Sequence, residues 1–117
     1  MAATDLVGLG MAPALADLIA LTSSALTATG TAQADAAPML TDLVDMTATG
    51  ADGIKLPLNV PIGSLYAVFN SSGSTGLVYC GLGETMDTTS NGSLSVTTHK
   101  LAIFIKYGVG KWGSILA

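Results

Sequence analysis

The sequence predicts an all-β fold, a compact antiparallel sandwich or jelly-roll-like barrel with an extended N-terminal arm and one short helix. Three observations predict it. Short apolar runs recur between Gly, Asn, Ser and Pro turns from residue 25 onward. The run Leu94–Gly108 is rich in β-branched residues and apolar on both of its alternating faces. Hydrophobic residues make up 50% of the 117 and charged residues only 10%, against about 25% charge in an ordinary soluble domain. That length supports one domain around one core, divided here into residues 1–24, an arm with a short helical segment, and residues 25–117, the β-domain.

Residues 1–12, MAATDLVGLGMA, mix small and apolar residues with two glycines. They read as an extended arm that can add to a sheet edge of another chain through main-chain hydrogen bonds. Pro13 suits a first helical turn, and Leu15, Leu18, Ile19 and Thr22 follow helical spacing, so residues 13–21 are expected to be helical. The stretch Met11–Leu26 is broken by Asp17 and by Thr22, Ser23 and Ser24. It falls short of the ~18–20 continuous apolar residues of a membrane span. No Lys or Arg precedes it, which argues against a signal peptide.

The string TATG occurs at Thr27–Gly30 and again at Thr47–Gly50. Two copies do not make a repeat architecture, and they read as two strands ending in similar glycine turns. Pro38 bars a central strand nearby, so Leu43–Thr47 is expected at an edge or with a bulge. Asp52-Gly53 opens a turn, and Ile54, Leu56 and Leu58 alternate with Lys55 and Pro57. After the Pro61 and Gly63 loop, Ser64, Tyr66, Val68 and Asn70 share one strand face, with Leu65, Ala67 and Phe69 on the other. Leu77–Cys80 is a short strand, Glu84–Thr89 another, and Ser90–Gly92 a hairpin signal. In the long run, Leu101, Ile103, Ile105 and Tyr107 share one face while Ala102, Phe104 and Lys106 share the other. A strand apolar on both sides is covered twice, once by its own domain and once by something else. Trp112 begins the closing strand.

The chemistry-bearing residues are sparse. His99 is the single histidine and Cys80 the single cysteine, too few for a zinc site of three or four such ligands or for a disulfide framework. Cys80 is read as a small buried hydrophobe suited to a reducing cytoplasm. Asp42 and Asp45, like Glu84 and Asp87, are spaced three apart, which in turn-rich chain means solvation or turn hydrogen bonds. A phosphate loop fails at Lys111, because Ile105 stands where its first glycine belongs and Trp112 follows the lysine. No cofactor, metal or catalytic residue is expected. Net charge is −4 with no arginine, which excludes the basic footprint of nucleic-acid binding. All six acids of residues 1–52 stand without a basic residue, whereas the remainder holds all four lysines. The asymmetry suits ordinary solvation or an acidic part facing a more basic partner.

The order ALTATGTAQADAAPML (Ala25–Leu40), GIKLP (Gly53–Pro57), PIGSLYAVFNSSGSTGLVYC (Pro61–Cys80) and LAIFIKYGVGKWGSI (Leu101–Ile115) resembles small β-rich capsid decoration proteins of tailed bacteriophages, also called cement or head-fibre-like proteins. Leu56-Pro57, Gly63, Val68 with Asn70, Val78-Tyr79, Phe104 and Trp112 carry the likeness. The chain departs from that pattern at Cys80-Gly81 and in residues 1–24. The resemblance implies a homotrimer bound to the major capsid protein on the outer surface of the virion, assembled in the host cytoplasm, with no enzymatic activity and no nucleic-acid or membrane partner. It implies that Leu6, Val7, Leu9 and Met11 form the capsid-contact arm, and that Tyr66, Phe69, Phe104 and Trp112 make the core or trimer interface. The alternative is a carbohydrate-binding knob of a fibre or adhesin, with Trp112 exposed near Asn91.

Overall fold

The computed structural model describes residues 23–50 and 52–117. The expected arm, its four contact residues and the expected helix at residues 13–21 lie outside them. The described part is all-β, and its one helical element is a 3-10 turn at Gln33–Asp35. Eleven strands follow one another: β1 (Ser23–Thr27), β2 (Ala37–Pro38), β3 (Leu43–Thr47), β4 (Gly53–Lys55), β5 (Leu65–Asn70), β6 (Gly76–Tyr79), β7 (Thr85–Met86), β8 (Thr89–Ser90), β9 (Ser93–Val96), β10 (Leu101–Gly108) and β11 (Lys111–Leu116). Strand is already present at Ser23, just upstream of the expected domain start.

The expected antiparallel sandwich or jelly roll is not what the sheets show. The larger sheet runs β1-β3-β5-β10-β11-β7-β8 and the smaller β2-β4-β6-β9. From β1 to β6 the chain alternates between them, and each strand returns parallel to the one a rung earlier. Among the described residues this solenoid-like coil has three rungs, β1 with β2, β3 with β4, and β5 with β6. The remaining strands close it, since β10 lies antiparallel to β5 and β9 antiparallel to β6. A β10–β11 hairpin, with β7 parallel to β11, then widens the larger sheet. The sheets are therefore mixed, because coiled connections demand parallel neighbours where hairpins demand antiparallel ones.

The two TATG copies sit one on the other. Thr27 pairs with Thr47 in the β1/β3 register, twenty residues apart, and Ala28 and Ala48 are both buried just beyond. They do end two strands in glycine turns, and their spacing is also the length of a rung. Gly30 has φ +73°, and a Cβ there would lie 2.3 Å from the Asp35 side chain, so only glycine fits. β3 is central and paired in continuous register on both sides, not the expected edge or bulged strand. The edge role of Pro38 falls to β2, the outermost strand of the smaller sheet.

The long run expected from Leu94 to Gly108 is two strands in different sheets. It breaks at residues 97–100, where His99 takes φ +60° and its N–H donates to the Asn70 carbonyl at 2.7 Å. The Ser90–Gly92 signal is likewise a crossing between sheets. The hairpin lies just before it, where Asp87 and Thr88, at φ +49° and +72°, form the two-residue turn between β7 and β8.

The core fills the space between the sheets. Trp112, Phe104, Met46, Ile54, Leu56 and Met86 are its largest fully buried side chains. Its one fully buried polar side chain is Asn70, at the corner where β5 leaves the larger sheet. Asn70 Nδ2 donates to the carbonyls of Ser74 and Val96, each at 2.8 Å, and Oδ1 accepts from the Ser72 N–H and hydroxyl. All its polar capacity is used, which makes burial affordable and ties both sheets together.

Candidate functional site

Alternation decides what the larger sheet shows to the outside. Val68, Ala102, Phe104 and Trp112 face inward and are buried. The residues between them face outward. Leu43, Ala67, Ile103 and Ile115 form one unbroken cross-strand row over β3, β5, β10 and β11. Phe69 pairs with Leu101 on one side of that row, and Leu65 with Ile105 on the other. Tyr107 extends the face, its ring within 4 Å of where a Cβ on Gly113 would lie. Phe69 is 38% exposed, Tyr107 52% and Ile115 67%. With strands ~4.8 Å apart and a ~3.3 Å rise per residue, the face covers roughly 20 by 20 Å, about 400 Å². Patches of that size on a monomer are commonly functional.

The polar features lie around this face. At its β1 end is a shallow depression of about 490 Å³, lined by residues including Ser23, Ala25, Leu43, Asp45 and Phe69. The Asp45 carboxylate accepts from the Ser71 hydroxyl. Asp87 accepts from the Ser114 N–H at 2.9 Å and from its hydroxyl. These are bonds between distant segments, 26 and 27 residues apart, and not the local turn hydrogen bonds expected of the two carboxylates. Asp42 sits before β3, where its carbonyl accepts from the Ala67 N–H at 2.8 Å. His99 is exposed in its turn. No group of three or more His, Cys, Asp or Glu that could hold a metal occurs among the described residues.

A second polar cluster is sealed inside. Lys106 Nζ lies 3.4 Å from Glu84 Oε2, with both side chains under a tenth exposed. Glu84 Oε1 accepts from Trp112 Nε1 and from the Gly81 N–H, each at 3.1 Å. Beside it Cys80 is fully buried, its thiol against the carbonyls of Gly92 and Glu84, and its own carbonyl accepts from Gln33 Nε2 at 2.7 Å. Burial pushes the Cys80 thiol above its ordinary value, and the nearby Glu84 charge adds to the shift. This buried arrangement anchors the β7–β8 segment to β10 and β11. The sequence did place Lys106 on the face of Ala102 and Phe104. The buried role of Glu84 carried no local signal.

The four aromatic candidates separate. Phe104 and Trp112 are core. Tyr66 packs against the core, its ring centroid 5.7 Å from that of Trp112 in an edge-to-face pair. Phe69 alone stands on the outer face. Trp112 is 0% exposed with its N–H engaged, so it offers no sugar-stacking ring beside Asn91.

Comparison with protein-family models, with curated proteins and with solved structures returns no match. Among the described residues no helix is long and apolar enough to cross a membrane.

Proposed function

We propose that this chain is a structural, non-catalytic protein that assembles with copies of itself through the outer face of its larger sheet. The observation that carries the reading is the apolar row Leu43, Ala67, Ile103 and Ile115, flanked by Phe69, Leu101, Leu65 and Ile105. A specific interface buries about 800 Å² per partner. A face of about 400 Å² supplies the apolar centre of such an interface, and the surrounding polar rim supplies the rest. Charge around the face is mixed, with Asp42 and Asp45 beside β3, Lys100 and Lys111 at opposite ends of the β10–β11 hairpin, and Asp87 against β11.

In its specific form the assembly is a homotrimeric decoration, or cement, protein on the heads of tailed bacteriophages. It bridges neighbouring copies of the major capsid protein and stabilises the mature shell by mass action. The resemblance of residues 25–117 supports this form. Light scattering coupled to size exclusion tests the assembly, and sedimentation of the protein with mature heads tests the capsid role. A stable trimer that Ile103→Lys converts to a folded monomer is expected. A wild-type monomer at micromolar concentration overturns the assembly, and a trimer that never cosediments with heads overturns only the capsid role.

A further inference from the structure

We infer that the flank of turns adjoining the outer face, built on Leu40, Leu58, Ile62, Leu82 and Val109, is the surface onto which the outer face of a second copy docks. The inference rests on the homotrimer proposed above and names its second contact surface. A face that meets the same face of another copy is related to it by a two-fold axis and gives a dimer. A three-fold ring joins unlike patches head to tail. A trimer that uses the outer face therefore needs a second patch for that face to cover.

The described residues hold such a patch. Strands β2, β4 and β6 run parallel and so leave the smaller sheet on the same side of the coil. Their exits are tied in rung order. The Met39 N–H donates to the Lys55 carbonyl at 3.0 Å, and the Leu56 N–H to the Tyr79 carbonyl at 2.8 Å. Each exit turn carries an exposed leucine, Leu40 at 87%, Leu58 at 49% and Leu82 at 72%. The Leu58 side chain fills the space that a Cβ on Gly81 would need, which sets the second and third turns against each other. The Thr85 N–H donates to the Gly110 carbonyl at 2.8 Å and joins the β10–β11 turn to this flank. The Gly63 N–H donates to the Lys106 carbonyl at 2.7 Å and brings in the turn before β5. Exposed Ile62 and Val109 thus stand at the corner where Leu65, Ile105 and Tyr107 end the outer face. Apolar surface runs around that corner from one patch to the other.

The chemistry suits this occupant. The turns LPLNVPIGS (Leu56–Ser64), GLG (Gly81–Gly83) and GVG (Gly108–Gly110) contain no charged residue. Turns on the opposite flank are polar, as in SSGST (Ser71–Thr75) and TTHK (Thr97–Lys100). Aliphatic tips without charge can be buried against the apolar row of the outer face with no stranded ion. The face alone offers about half of the ~800 Å² that a stable contact takes from each partner. Because the two patches meet at an angle on one protomer, each junction turns the next copy about an axis, so the series closes into a ring.

Light scattering coupled to size exclusion tests the inference, at a concentration where the wild type is a trimer. Leu82→Lys/Val109→Lys changes exposed tips only and is expected to be a folded monomer, with a fall to one third of the mass. Leu40→Lys, on a different turn, repeats the test should that double variant fail to fold. Ile103→Lys keeps its flank intact, and the flank variant keeps its outer face intact. Mixed in equal amounts at high concentration, the two are expected to form a heterodimer, because one sound junction forms and the two lysine-bearing patches cannot close the ring. A flank variant that stays trimeric overturns the inference and leaves assembly through the outer face standing, even where that variant no longer sediments with mature heads. Two monomers that do not combine overturn it as well. A wild-type monomer overturns the assembly itself, and the inference with it.

Discussion

Lys106 on β10 and Glu84, just before β7, form a buried ion pair 3.4 Å apart across β11, which lies between those two strands. The pair is more a constraint than a source of net stability, because desolvating two charges offsets most of their attraction. Removing one partner strands the other. Lys106→Met is therefore expected to destabilise the fold by about 3–5 kcal/mol. Adding Glu84→Gln should restore most of that loss, since the glutamine carbonyl can still accept from Trp112 Nε1 or the Gly81 N–H. Urea unfolding at fixed protein concentration measures both, and a double variant as unstable as Lys106→Met would refute the account.

Asn70 serves both sheets at one corner, and an apolar replacement cannot. Asn70→Leu leaves the Val96 and Ser74 carbonyls without their donor and the Ser72 N–H without its acceptor. Each unsatisfied buried group costs about 1–3 kcal/mol. Asn70→Leu should therefore lose at least that much in urea unfolding despite its added apolar surface, whereas Val68→Ile, on the same inward face, should lose far less. Equal losses would mean that packing, and not hydrogen bonding, sets the corner.

What the sequence disclosed follows the range of the forces involved. Alternation is local, so the inward and outward sets of residues 64–70 and 101–107 were legible, including the doubly apolar β10 that marks the outer face. Strand pairing is non-local. Nothing in Leu43–Thr47 says that its neighbours are parallel, and the twenty-residue rung showed only as two TATG strings. The third rung obscures it, because β5 lies twenty-four residues from β3 and ends in Ser71-Ser72-Gly73. His99 sits in the left-handed region within an otherwise strand-like run, and no propensity predicts that break. The outer face was foreseeable as a surface needing cover, while the Glu84 cluster was not, because its members come together only through β11.

Cys80 is expected to be inert in the folded protein. Its thiol is fully buried, faces two backbone carbonyls and is held in the protonated form by burial, and the thiolate is the reactive species. With a thiol-reactive chromophore at pH 8, the native protein should show no labelling over an hour, and one thiol per chain should appear in urea. Rapid native labelling would mean that the Gly81–Asn91 segment opens readily, in spite of the Glu84 anchor.

Asp52 supplies an acid-sensitive contribution to stability. Its carboxylate accepts from the Thr49 hydroxyl at 2.8 Å and from the N–H groups of Thr49 and Gly50, at 3.0 and 3.1 Å. The Thr49 side-chain hydrogen bond does most to hold the carboxyl below its ordinary value, against the opposing effect of burial. A carboxyl lowered on folding stabilises the protein above the unfolded value of about 3.9. That contribution fades as pH falls through the lower, folded value. Asp52→Asn keeps the shape but removes the titration. The stability gap between wild type and Asp52→Asn, read from urea midpoints, should therefore be widest at neutral pH and narrow progressively below about pH 4. A gap that stays constant from pH 7 to pH 2.5 would show that the contacts of Asp52 with Thr49 and Gly50 do not depend on its charge.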